Sequence, residues 1–384
     1  MKFFLIAGEP SGDLLGAALM AGLKQLDPLV EFAGIGGPAM LAEGLESLFP
    51  MDELSLMGIW EVLPKYRHLK RRISQTVQAV IDQQPDALIT IDSPDFCLRV
   101  AREVRAARPQ IRTIHYVAPS VWAWRPGRAQ KMAGIIDHVL ALLPFEPPLM
   151  EAAGMTCDFV GHPIATAPIA TPEEAAAFRE AHDISPDAQL VLCLPGSRKS
   201  EVSRLAGRFD EALLRLRDRV PETRVVLPTV PGVAEMVHDM ADRWPTAPIV
   251  VEDEASKKAA FAAADLALAA SGTVSLELAA NNVPMVIGYD MAPISRAIIG
   301  MMLQTDTVTL VNLVSDTRAI PEFLGRACQP GAMAGALLNI LEDPEAKQAQ
   351  LAAMELTMER LGRGGEAPGL RAARSVMHAV TGPR

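Results

Sequence analysis

The chain has 384 residues, 49% of them hydrophobic and 21% charged, with a net charge of −10. That length exceeds what one hydrophobic core usually serves, so two domains are expected. The acidic balance excludes a general nucleic-acid binder, which needs a basic face to displace counterions from phosphates.

In chain order, the first apolar run, FFLIA (3–7), reads as a strand that stops at Gly8, with a helix starting near Asp13. The turn between them carries two carboxylates, Glu9 and Asp13, and departs from the G-x-G-x-x-G pattern that cradles a diphosphate. Carboxylates repel phosphate and accept from hydroxyls. Gly8, Glu9, Ser11, Gly12 and Asp13 are therefore expected to bind a sugar-like acceptor.

Further strands are expected at EFAGI (31–35), ALITI (87–91), RTIHYV (112–117), HVLALL (138–143) and CDFVG (157–161), with helical spacing between them. Strands that are apolar throughout and separated by helices indicate a parallel sheet covered on both faces. After ALITI comes IDSPDF, whose Asp92 and Asp95 stand close together at a strand end, where one of them can serve as a base. A turn with a helix cap would use the same residues. Within HYVAPSVWAWRPGRAQK (115–131), Trp122, Trp124, Arg125 and Arg128 suit either an interdomain wedge or a ligand contact, and His115 and His162 suit either an interior position or a base.

Between the second and third strands, Met57, Ile59, Trp60, Val62 and Leu63 precede Lys65, Arg67, Lys70, Arg71 and Arg72. An apolar group with tryptophan next to five cations has the make-up of an interfacial membrane anchor, although a helix with Trp60 in the core would fit the periodicity equally. The run after Met1-Lys2 is too short for a signal-peptide core, and the longest uncharged stretch, 327–341, is too short to span a bilayer.

The proline-containing stretch 161–174 reads as a linker, followed by a second series of strands at 189–194, 224–229, 248–252, 265–270 and 283–289. The fold class is thus α/β, two Rossmann-like doubly wound domains facing across a cleft, over 1–165 and 166–344, with helices in 345–384 expected to complete the first. Two turns in the second half suit a nucleoside diphosphate. In LPGSRKSE, Gly196, Ser197 and Arg198 open a helix, with backbone amides and a forked guanidinium for an anion. In ASGTVSLE, Ser271, Gly272 and Thr273 do the same, and Glu277 lies one turn later for a ribose. Asn312 and Glu322 follow apolar runs. The four cysteines, Cys97, Cys157, Cys193 and Cys328, form no C-x-x-C pair and read as buried thiols of a reducing compartment. No two aspartates stand in a D-x-D pair and no histidines have ligand spacing, so neither a metal nor another cofactor is expected.

Taken in order, AGEPSGD (7–13), IDSPDF (91–96), HYVAPSVWAWR (115–125), LPFE (143–146), GHP (161–163), LPGSRKSE (194–201), SGTVSLE (271–277) and VNLV with IPEF (311–323) resemble the lipid-A-disaccharide synthase family over the whole chain. The resemblance implies a GT-B fold and a metal-independent, inverting glycosyl transfer from UDP-2,3-diacylglucosamine to 2,3-diacylglucosamine 1-phosphate. It implies Asp95, or else Asp92, as the base and Arg198 as the group that meets the departing diphosphate. Gly196, Ser197, Ser271, Gly272, Thr273, Glu277, Asn312 and Glu322 would hold UDP. Peripheral attachment to the cytoplasmic face of the inner membrane, through the 57–72 patch, and a homodimer through the C-terminal helices are further expectations. A UDP-N-acetylglucosamine 2-epimerase of the same fold and a non-catalytic lipid-binding protein are the alternatives.

Overall fold

The structure is a computed structural model that describes residues 1–54, 59–122, 127–291 and 305–382, the side chains of 59–66 excepted. The chain divides into two compact units, Met1–Thr166 with Gly364–Arg384, and Ala167–Arg363.

Unit 1 is a six-stranded parallel sheet of β1 (Lys2–Ala7), β2 (Glu31–Ile35), β3 (Ala87–Ile91), β4 (Arg112–Tyr116), β5 (His138–Ala141) and β6 (Thr156–Phe159), in the order β2-β1-β3-β4-β5-β6. Every residue of β3 and β5 is buried, as strands covered by helices on both faces must be. The order reverses between β1 and β3, and ligands of such sheets bind beyond the strand ends at that reversal.

Unit 2 repeats the design with β7 (Leu190–Leu194), β8 (Arg224–Pro228), β9 (Ile249–Val251), β10 (Leu266–Ala269), β11 (Met285–Tyr289) and β12 (Glu322–Leu324), ordered β12-β11-β10-β7-β8-β9. Its reversal falls between β7 and β10. Strand β12 was not expected: it is a three-residue edge strand with no fully buried residue, so no apolar run announces it.

The C-terminal segment corrects the domain expectation. Only the last helix, Pro368–Thr381, belongs to unit 1. It lies against helix Pro10–Leu26 so closely that a Cβ on Gly22 would stand 2.6 Å from the Gly369 carbonyl oxygen. His138 bridges Thr156 (2.7 Å) and Ser375 (2.7 Å), and Ser375 donates to Asp158 (2.6 Å), which ties this helix to β5 and β6. Helix Pro344–Arg360, expected with unit 1, packs in unit 2 instead. There Gln350 accepts the Met285 amide (2.8 Å), Thr357 donates to the Val311 carbonyl (3.2 Å) and Arg360 to that of Val314 (2.6 Å). Its few buried residues leave little apolar face to read, so sequence alone could not assign it. The chain crosses back between Arg363 and Gly364, inside the glycine-rich stretch 362–365.

Candidate active site

At the reversal in unit 1, Ala7 lies opposite Ile91, so the turns after β1 and β3 run side by side. They touch: a Cβ on Gly8 would come within 2.6 Å of the Ser93 hydroxyl, so a larger residue there would force the second turn to shift. The second turn is strained. Asp92 (φ 50°) and Ser93 (φ 42°) are left-handed, and so is Val117 (φ 83°) at the end of neighbouring β4, where a β-branched residue pays most for that conformation. Backbone strain of this kind, on the order of 1–3 kcal/mol per residue, persists where surrounding structure imposes it, and it gathers at working sites. The turn delivers Asp95 to the first helical turn of Pro94–Ala107, exposed, with Asp92 half-buried behind it.

The acidic turn itself divides. Glu9 and Ser11 face outward, whereas Gly8, Gly12 and Asp13 are buried. Asp13 accepts the backbone N–H groups of Gly37 (2.8 Å), Ala39 (2.9 Å) and Met40 (3.0 Å), capping the short helix Pro38–Ala42. These three bonds give Asp13 a structural task in holding the 37–40 turn. Both histidines considered as bases sit in places that keep them neutral: burial pushes His115 down to about 4, beside the Thr90 hydroxyl (2.8 Å), and His162 down to about 4.

Sequence reasoning gave no role to Glu146, the last residue of LPFE. It is buried, accepts from the Leu143 amide (3.0 Å) and the Trp122 indole (3.4 Å), and burial pushes its carboxyl up to about 7. Trp122 meets Phe145 edge-on, ring centroids 5.6 Å apart. Glu146 thus anchors the start of the 115–131 segment, whose Trp124 and Arg125 lie outside the described residues. With its folded value above the ordinary 4.5, Glu146 contributes stability that is full below about 4.5 and is lost as pH rises through about 7. Glu146→Gln should remove about 2–3 kcal/mol of the fall in unfolding free energy between pH 5 and 8. Denaturant melts of both chains across that range measure it, and equal pH slopes would contradict it.

In unit 2, Leu194 lies opposite Ala269 at the β7/β10 reversal, which sets Gly196–Arg198 beside Ser271–Thr273. Gly196 has φ 116°, a conformation that favours glycine, and a Cβ there would also meet Glu201 at 2.6 Å. Arg198, exposed at the start of helix Lys199–Arg219, is held by Glu201 (2.9 Å). Glu277 pairs with Lys257 (2.8 Å) through one oxygen.

Asn312 and Glu322 are turned to the chain itself. Asn312 is buried, donates to the Ile320 carbonyl (2.9 Å) and accepts the Ile320 amide (3.0 Å). Glu322 accepts from the Thr307 hydroxyl (2.8 Å) and the amides of Val308 (3.1 Å) and Thr309 (2.6 Å). Together they fix residues 307–309, whose Val308 carbonyl takes the Ser271 hydroxyl (3.3 Å). Both side chains thereby shape the strap beside the Ser271 turn, Glu322 through one of its two carboxylate oxygens.

The cationic patch is also revised. Met57 lies outside the described residues, as do the side chains of Ile59, Trp60, Val62, Leu63 and Lys65, although 59–66 are helical. Arg67, Lys70 and Arg71 are exposed, but Arg72 forms a two-point pair with Glu53 (2.6 and 2.7 Å) and stacks on Phe49 (4.4 Å). Among the described residues no helix is long and apolar enough to cross a membrane.

Two parallel sheets, each with glycine turns at its reversal point, define the class of two-unit doubly wound α/β folds of GT-B type. The S. aureus MnaA–UDP co-structure matches at TM-score 0.64 and 14% identity, over 98% of this chain and 95% of that one. UDP-GlcNAc 2-epimerase from Neisseria meningitidis bound to UDP-GlcNAc matches at 0.64 and 12%, over 98% and 99%. At such identities the likeness is one of fold. The model of the family Lipid-A-disaccharide synthetase matches residues 3–367, and the chain belongs to that family of glycosyltransferases in lipid A biosynthesis. The lipid-A-disaccharide synthase of Ruegeria pomeroyi is 60% identical, over 100% of this chain and 96% of its own, and that of Rhodospirillum centenum 48%, over 99% and 95%.

Proposed function

We propose that the chain joins UDP-2,3-diacylglucosamine to 2,3-diacylglucosamine 1-phosphate with inversion, releasing UDP. The observation that carries this reading is the adjacency, within unit 2, of the Gly196 and Ser271 turns at the β7/β10 reversal; unit 1 by itself has an acidic, strained turn at the β1/β3 reversal. Backbone N–H groups at 196–198 and 271–273 take the diphosphate, and the free oxygen of Glu277 takes a ribose hydroxyl. Arg198, released from Glu201 by the stronger anion, meets the charge that builds on the leaving group. Asp95, with Asp92 as runner-up, removes the proton from the acceptor 6-hydroxyl as that oxygen attacks the anomeric carbon.

The test is to mix the chain with both acylated sugars in detergent, without divalent cations. Equal amounts of UDP and disaccharide are expected. Binding of either sugar with no UDP released would point to a lipid-binding protein, and turnover of non-acylated UDP-sugar alone to an epimerase. Arg198→Ala should lower kcat/KM by about 10²–10³-fold and weaken UDP binding as well. An unchanged UDP affinity would remove Arg198 from the diphosphate.

Exposed Arg67, Lys70 and Arg71 following the apolar stretch 59–63 support peripheral attachment to an anionic bilayer, at the cytoplasmic face of the inner membrane. Arg72 is left out of that surface because Glu53 holds it.

A further inference from the structure

We infer that a basic pocket in unit 1, beside Asp95, is the seat of the acceptor's phosphate monoester. The inference rests on the glycosyl-transfer reading above and adds to it a subsite in unit 1.

The pocket, about 540 Å³, lies between helix Pro94–Ala107 and helix Gly127–Ala133, which follow the adjacent strands β3 and β4. That volume suits one small ligand. Its walls carry Arg99 and Arg102 from the first helix and Arg128 and Lys131 from the second, with Asp95 its one acid. None of these four cations has an ion-pair partner among the described residues. Among the other described arginines of unit 1, Arg72, Arg105, Arg108, Arg112, Arg371 and Arg374 each have the guanidinium matched to a carboxylate or a carbonyl, and Arg71 meets His68 (3.0 Å). Cations converging unpaired from two helices repel one another, and an anion between them removes that repulsion.

Arg99 and Arg102 also line a second cavity with Lys70 and Glu103, so the positive band continues toward helix Ile59–Gln83. In a chain of net charge −10 this concentration runs against the overall balance. Arginine forks match carboxylate and phosphate oxygens alike, but four converging cations suit the charge of a phosphate monoester, about −2, better than the single charge of a carboxylate. Leu98, Met132 and Ile135 give the same pocket an apolar side, which suits an amphiphile. Position matters too: Arg102 stands seven residues, roughly 10 Å, along the helix from Asp95. A hexose placed with its 6-hydroxyl at Asp95 would reach the far cations with a phosphate on its other end. The pocket would then set both the orientation of the acceptor and its preference for a phosphorylated sugar.

The double variant Arg102→Gln/Lys131→Gln tests this, since both side chains are exposed and away from the reacting hydroxyl. Its KM for the phosphorylated acceptor should rise by at least about tenfold, with KM for the UDP-sugar and kcat at saturation retained. The native chain should favour the phosphorylated acceptor over its dephosphorylated form, and the variant should not. Calorimetric titration with soluble glucosamine 1-phosphate needs no turnover: binding to the native chain and not to the variant supports the pocket even if no disaccharide forms, in which case the transfer reading alone falls. Disaccharide formation with identical acceptor KM in both chains overturns the pocket and leaves transfer standing. Co-sedimentation with phosphatidylglycerol vesicles should be the same for both chains. Loss of vesicle binding with acceptor preference intact would assign these cations to a lipid headgroup and overturn the inference.

Discussion

Replacing Asp95 by asparagine is expected to lower kcat by about 10³-fold, equivalent to about 4 kcal/mol of barrier, while UDP affinity stays as in the native chain. The argument is positional. A base must reach the hydroxyl proton, and of the two carboxylates after β3 only Asp95 is carried outward on the first turn of a helix, exposed at the mouth of a pocket. Asp92 is half-buried within the left-handed turn, and its amide donates to the Tyr116 carbonyl (3.0 Å), so its backbone is committed to holding the turn. Asparagine keeps the shape and removes the ability to take a proton, which separates chemistry from packing. Pre-steady-state turnover with both substrates, alongside UDP titration, reads the two effects independently. Retention of most activity in Asp95→Asn, with its loss in Asp92→Asn, would reassign the base.

Asp13→Ala is expected to destabilise the chain by about 4 kcal/mol, a large share of the roughly 5–15 kcal/mol that holds a domain folded. Three amides now share one carboxylate in a buried setting, and alanine would leave all three without an acceptor. Hydrogen bonds to a charged group contribute more than neutral ones, and an unmade buried bond carries its full desolvation cost. Asp13→Asn, which keeps one acceptor oxygen, should recover part of the loss. Denaturant unfolding measures both. A normal unfolding curve combined with weakened acceptor binding would return Asp13 to the role the sequence suggested.

Asp13 also marks where the sequence stops being readable. The sheets were legible because short, mainly apolar runs alternate with helical stretches, and eleven of the twelve strands among the described residues announced themselves that way. Glycine turns at the ends of β1, β7 and β10 were legible as well, but that they stand at the reversal points came from the strand order. What the sequence could not show was the direction of each side chain. Asp13, Asn312, Glu322 and Arg72 are polar residues beside a site, and any of them could have faced a ligand. Tertiary partners brought from 19 residues (Glu53 to Arg72) or 24 to 27 residues away (Asp13 to the 37–40 turn) engage two of them. The basic pocket was hidden for the same reason: Arg99 and Arg102 are separated in sequence from Arg128 and Lys131, and only consecutive right-handed β-α-β crossovers put their helices on one face. Glu146 gave no periodic signal, because one buried carboxylate in a loop looks like any exposed one.

The central claim is that unit 2 grips the diphosphate while unit 1 prepares the attacking alcohol. Backbone hydrogen exchange of the native chain, with and without saturating UDP, addresses it segment by segment. The account predicts slowed exchange at 195–201 and 271–277 and unchanged exchange at 7–13 and 92–95. Protection of the 7–13 turn by UDP, with the Gly196 and Ser271 turns unaffected, would contradict it.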